Sequence, residues 1–222
     1  MLFALGEPVA FVALVISFLL GLVLRSVAIR LTARTLGLAD RREPITPRPR
    51  DDIDPFGAVA AAIGGMGWGK MISVDEISRH RGRGRAATVF LAGPLINIIV
   101  AEILLGVYAA VYSTGDLAFL GPADVLLGIG GPIGPQVLLS IAVGLLSFGL
   151  LALIPIPPLD GFGVMYYALR RPGAGMQWMR LWFEDKNIGV LILLICCLFP
   201  LPGPILLRIL DALGLLFIRL WG

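Results

Sequence analysis

The sequence predicts an all-α protein that crosses a lipid bilayer several times, and three observations carry that expectation. Of its 222 residues, 58% are hydrophobic and 15% are charged, with a mean hydropathy of +0.91. An ordinary soluble domain is about 45–50% apolar and about 25% charged. The apolar residues fall in long runs rather than at amphipathic spacing, so lipid is the solvent they are built for. The basic residues are also segregated: sixteen of the eighteen Lys and Arg lie in three segments. Together these exclude a water-soluble globular domain.

The first apolar run covers residues 8–24, with Glu7 before it and Arg25, Arg30 and Arg34 after it. That order of charge is the reverse of a signal peptide, so an uncleaved first helix is expected over 8–35. A cytoplasmic loop is expected over 38–85, its first part polar and carrying Pro44, Pro47 and Pro49. Inside it, residues 56–69 are apolar and contain Gly57, Gly64, Gly65, Gly67 and Gly69. The piece is short for a span and its glycines disfavour a helix interior, so a membrane-dipping hairpin or loop is expected. The run from Gly64 to Lys70 lacks the spacing of a phosphate-binding loop. A second helix is expected over 86–112 and a third over 135–170, broken at Pro155-Ile156-Pro157-Pro158. Prolines inside a span free backbone carbonyls that lipid cannot satisfy, so this break belongs in a protein interior. The hydrophobic region 188–220, interrupted by Pro200, Pro202, Gly203 and Pro204, is either one span plus an interfacial helix or a hairpin. All of this reads as a single membrane domain over 1–222.

Seven Lys and Arg lie in 25–50, five in 70–85 and four in 170–186, while 113–134 has none. The positive-inside rule then places the loops 25–55, 70–85 and 170–186 in the cytoplasm and the N-terminus outside, as in a bacterial cytoplasmic membrane. Anionic lipid headgroups are the expected partners of many of these side chains. No basic stretch is interleaved with stacking aromatics, which argues against nucleic acid. The adjacent Cys196 and Cys197, within an apolar run, offer neither a disulfide framework nor a CxxC knuckle.

Three segments, taken together, resemble the site-2 proteases, intramembrane zinc metalloproteases of the M50 type. Asp54-Pro55-Phe56-Gly57 with Gly67-Trp68-Gly69-Lys70 is similar to the family's hairpin. Gly93-Pro94 and Asn97 match its AGPxxN helix start. Pro155, Pro157, Pro158, Asp160 and Gly161 match its LxPIPPLDG motif. The family carries HExxH, two histidines one helical turn apart that ligate zinc beside a glutamate that activates water, with the aspartate of LDG completing the site. Registering the family's pattern by its tail, Ala33-Arg34-Thr35-Leu36-Gly37, puts that motif on Arg25-Ser26-Val27-Ala28-Ile29. The chain has one histidine, His80, among arginines. Ala152 also replaces the asparagine usual before LxPIPPLDG. The resemblance therefore implies the protease fold with a degenerate site at Arg25, Ser26, Ile29 and Asp160, no catalytic residue, no metal ligand set and no cofactor.

Several side chains carry two readings. Asp160, just after the proline break, caps the restarting helix, pairs with a cation, or does both. Arg25 is the natural partner, standing where the family has zinc; otherwise it snorkels to the headgroups. Glu102, inside the second helix, pairs with Arg30 or Arg25, meets another subunit, or sits at the interface of a tilted helix. Asn97 is expected to bond across helices and Gly93 to permit close packing. Trp68, Trp178, Trp182 and Trp221 are expected as interfacial anchors. Ser26 as a nucleophile has no histidine or membrane-buried lysine to act as its base.

The expected function is that of a catalytically inactive homologue serving as a structural or regulatory subunit that binds other membrane proteins or their transmembrane helices. The alternatives are an active intramembrane metalloprotease with non-standard ligands, and a small transporter or channel. The charge count yields a direct test of topology. A cysteine introduced by Ser113→Cys is expected to be labelled by an impermeant thiol reagent from outside the cell, and one at Ser78→Cys is not.

Overall fold

The computed structural model describes residues 2–40, 44–70, 72–74, 77, 82–112, 114–198 and 205–222. Ser78, His80, Ser113 and the proline-rich stretch 199–204 lie outside the described residues. Ten α-helices occur among those described: α1 Pro8–Thr35, α2 Pro49–Asp52, α3 Pro55–Gly64, α4 Arg83–Val111, α5 Pro122–Leu127, α6 Ile133–Ala152, α7 Asp160–Ala168, α8 Ala174–Met179, α9 Ile188–Leu198 and α10 Ile205–Ile218. They include no β-strand, and the protein is an all-α polytopic membrane protein.

Among the described residues, three helices are long and apolar enough to span a bilayer: α1, α4 and α6. At 1.5 Å per residue, α6 reaches about 30 Å and the other two exceed 40 Å. Pro8 opens α1 at a position where its missing N–H is harmless, and Gly37, at φ 72°, lets the chain turn back so that Leu38 N–H bonds Ala33 C=O at 2.8 Å. The three spans pack on one another, and α6 is the inner member: 72% of its apolar window is buried, against 44% for α1 and α4. Lipid-facing rows such as Val12, Ile16, Leu19 and Val23 on α1 account for the difference.

Small residues set how closely the spans approach. Gly144 of α6 lies against Ser17 of α1, where even a Cβ would overlap the serine hydroxyl. A Cβ on Gly149 would come within 2.9 Å of the Pro94 carbonyl of α4. Without a hydrophobic drive between helices in lipid, such close backbone packing is a main source of association.

α6 ends at Ala152, the proline-rich segment turns, and α7 restarts at Asp160 beside α4. Gly161 is required there, since a Cβ would come within 2.4 Å of the Leu153 carbonyl carbon and 2.7 Å of the Ile154 oxygen. Observed helices thus open at Arg83 and Ile133, a few residues ahead of the expected 86 and 135.

The glycine-rich segment departs from expectation in one respect: nine of its residues, 56–64, do form a helix. α3 runs to Gly64, Gly65 turns it at φ 77°, and residues 66–70 return extended. An antiparallel bridge between Ile53 and Gly69, with Lys70 N–H bonded to Asp52 C=O at 2.8 Å, closes the base. The segment is a hairpin with one helical arm. Gly57 weakens that helix but is needed, because a Cβ would run into the Trp68 carbonyl of the returning arm. Asp54 caps α3, accepting from Phe56 N–H at 2.9 Å, and its second oxygen accepts from Trp68 Nε1 at 2.8 Å.

In the C-terminal region, α9 lies against α3, with Gly189 on Pro157 and Cys197 on Gly64. α10 packs on α5 and α6. At 11 and 14 residues, neither helix alone reaches the roughly 20 needed for a span.

The α1–α6 contact makes a quantitative prediction. Gly144→Ala is expected to lower stability by about 1–3 kcal/mol through overpacking against Ser17, measured by denaturation from mixed micelles. Adding Ser17→Gly is expected to restore most of the loss.

Candidate functional site

Arg25 lies on α1, 17 residues past Pro8 and so about 26 Å along the helix, well inside the span. Its guanidinium meets Asp160 in a two-pronged pair: Nε donates to Oδ2 at 2.6 Å and Nη2 to Oδ1 at 2.5 Å. The remaining nitrogen, Nη1, donates to the Lys70 carbonyl at 3.1 Å. One side chain thereby ties together the first span, the returning arm of the hairpin and the restarted helix α7. The side chains are only 6% and 2% exposed. Gly93 of α4 makes room, since a Cβ there would press to 2.7 Å on Arg25 Cγ.

Asp160 is the first residue of α7, whose capping position is Leu159 with no side-chain cap. The capping reading of Asp160 is therefore not the one realised; both carboxylate oxygens go to Arg25. Nor does Arg25 snorkel. A charge in such a place costs several kcal/mol unless it is paired and hydrogen-bonded, and planar bidentate geometry is the arrangement that best offsets the cost.

A second pair lies next to it. Arg30 grips Asp52, Nη2 to Oδ1 at 2.5 Å and Nη1 to Oδ2 at 3.2 Å, and Nη1 also donates to the Thr46 carbonyl at 2.9 Å. Arg48 N–H adds a bond to Asp52 Oδ2 at 2.6 Å. Two cations of α1 thus hold the base of the hairpin, one through a backbone carbonyl and one through a carboxylate.

The remaining positions of the expected site are inert. Ser26 Oγ donates to Leu22 C=O at 2.9 Å and Val23 C=O at 3.2 Å, within its own helix. Ile29 is buried against Gly93. Asn97, wholly buried, bonds across to the Gly21 carbonyl of α1 at 3.2 Å and to the Gly93 carbonyl at 3.0 Å. Two expectations are corrected. Glu102 pairs with neither Arg25 nor Arg30: Trp221 Nε1 donates to its Oε2 at 2.9 Å, and both arginines are already engaged by aspartates. Trp68 is no interfacial anchor; at 2% exposure it is core, fixed by its bond to Asp54. Trp178 and Trp182 are exposed.

Sequence reasoning missed Asp52, which sits in an acidic run next to a proline with nothing in its spacing to mark it. It also missed Tyr167, whose hydroxyl donates to the carbonyls of Val74 and, at 2.7 Å, Ile77, pinning the segment after the hairpin.

The zinc of the resembling family does not fit these residues. Positions 25 and 29 are arginine and isoleucine, neither with a lone pair for a metal, and the carboxylate of Asp160 is taken by the guanidinium. Among the described residues no three of His, Cys, Asp and Glu converge as metal ligands. Beside the pair, a cavity of about 540 Å³ is lined by Arg25, Ser26, Ile29, Arg34 and Lys70 among others.

The pair is testable through a double-mutant cycle. Arg25→Ala is expected to cost about 3–5 kcal/mol because it strands a buried carboxylate, whereas Arg25→Ala with Asp160→Asn is expected to cost much less. Additive losses in the denaturation midpoints would mean that the two groups are not coupled.

No protein-family model matches the chain, and no solved structure does. The chain is 25% identical over 174 residues to the Bacillus subtilis protein named "Putative zinc metalloprotease YwhC", a stretch that is 78% of this chain and 74% of the relative. That likeness, on a fold with three apolar spans, supports a relationship to the membrane metalloproteases.

Proposed function

We propose that this chain is a catalytically inactive homologue of the site-2 proteases that works as a structural or regulatory subunit, binding other integral membrane proteins through their transmembrane helices. The observation that carries the reading is the Arg25–Asp160 pair. In the resembling family the aspartate faces a divalent cation, and here a guanidinium supplies the positive charge at that place. A permanently protonated arginine cannot polarise a carbonyl as a Lewis acid or activate a water, so the scaffold is kept while the chemistry is not. Ser26 offers no second route, because its hydroxyl is turned into its own helix and no base adjoins it among the described residues. The hairpin and the broken helix, which in the family engage a substrate helix, remain as a surface for holding one. In the orientation that the basic loops favour, the N-terminus lies outside and the Arg25 end of the hairpin faces the cytoplasmic side of a bacterial inner membrane.

Two measurements test this. Elemental analysis of the purified protein is expected to find no stoichiometric zinc; one tightly held zinc per chain, lost in Asp160→Asn, would sink the proposal. Purification in mild detergent is expected to bring down a membrane protein in fixed ratio. A lone chain that conducts ions after reconstitution would instead favour a channel or transporter.

A further inference from the structure

The cavity beside the ion pair has a charge pattern that the pair itself does not explain. Five cationic side chains line it, and three are neutralised in place: Arg25 by Asp160, Arg30 by Asp52, and Arg48 by Asp51 at 3.7 Å. Arg34 and Lys70 remain, with no carboxylate partner among the described residues; Asp40 stands exposed at the rim. The inner wall is apolar, formed by Ile29, Ile77 and Val89, all buried. The volume of about 540 Å³ falls in the range of small-ligand sites.

Position along α1 says what such a chamber meets. Arg34 is nine residues beyond the buried Arg25, about 13 Å further along the helix and at its very end. The cavity therefore runs from the buried ion pair toward the end of α1, with Ile29, Ile77 and Val89 along its wall and Arg34 near its mouth. The anion present there at the highest concentration is lipid phosphate, and basic pockets at that level are suited to it. We propose that this chamber, where the resembling enzymes have their catalytic centre, binds the phosphate group of an anionic phospholipid, with Arg34 and Lys70 gripping the phosphate and Ile29, Ile77 and Val89 facing the glycerol and the upper acyl chain. The proposal does not rest on the subunit reading.

The test uses the full chain in a zwitterionic detergent, titrated with short-chain phosphatidylglycerol and followed by native mass spectrometry. One phosphatidylglycerol per chain is expected to be retained, with phosphatidylcholine retained far less. Arg34→Gln with Lys70→Gln is expected to weaken that retention about tenfold or more. Lys70 is exposed and Arg34 partly exposed, so the variant should keep its unfolding midpoint, measured alongside. Arg170→Gln with Arg171→Gln, basic residues away from the cavity, is expected to leave retention unchanged. Equal loss in the two double variants would overturn the site in favour of diffuse attraction, as would equal retention of the two lipids. Inorganic phosphate binding in the absence of any lipid retention would overturn the lipid as the source of the phosphate.

Discussion

An aspartate that follows a proline break inside a membrane span needs a positive charge within reach, and in this chain Arg25 supplies it. The pair satisfies both carboxylate oxygens and leaves one guanidinium nitrogen for the Lys70 carbonyl. That third bond is what makes the interaction a hub. It reaches a backbone group of the hairpin that lipid could not satisfy, and it couples the position of α7 to that of α1. Around it, Gly93 gives the arginine stem its passage, and Gly161 lets α7 turn back against the end of α6. Remove the pair and three elements lose their common point.

The neighbouring Arg30–Asp52 pair shows the same logic nearer the surface. Partly exposed, it contributes less than the buried pair, but it fixes the hairpin at its base, where the Ile53–Gly69 bridge closes it. The hairpin's backbone is packed against protein. Here that protein is α1 on one side and α9 on the other, with Phe18 and Leu22 pressed on the glycines of the returning arm and Cys197 on Gly64.

The spans were legible because length and apolarity are sufficient signals in lipid: α1, α4 and α6 lie close to where hydropathy puts them. The ion pair was legible for a different reason, because Asp160 and Arg25 are charges at depth and such charges require partners. What remained hidden shares a cause. Asp52 and Tyr167 act through contacts with segments distant in sequence, and no periodicity records them. Trp68 was assigned to the interface by residue type alone, when its bond to Asp54 and the absence of a side chain at Gly57 put it in the core. For Glu102 the sequence left an arginine partner, another subunit and the interface open, and geometry gives it an indole. The helical character of α3 escaped because glycine was weighed by propensity, whereas at Gly57 it serves packing.

The partners in the central pair are 135 residues apart in sequence. A ribosome adding about 5–20 residues per second needs on the order of ten seconds to cover that distance. During that interval the first helix exists with a guanidinium at membrane depth and no aspartate to meet it. A long, flexible arginine stem can bridge such a wait by stretching toward the nearer headgroups, then swing inward once α7 has been made. Lateral release of the first helix into lipid is on this view provisional. Its partner in the pair is synthesised only after two further spans, α4 and α6.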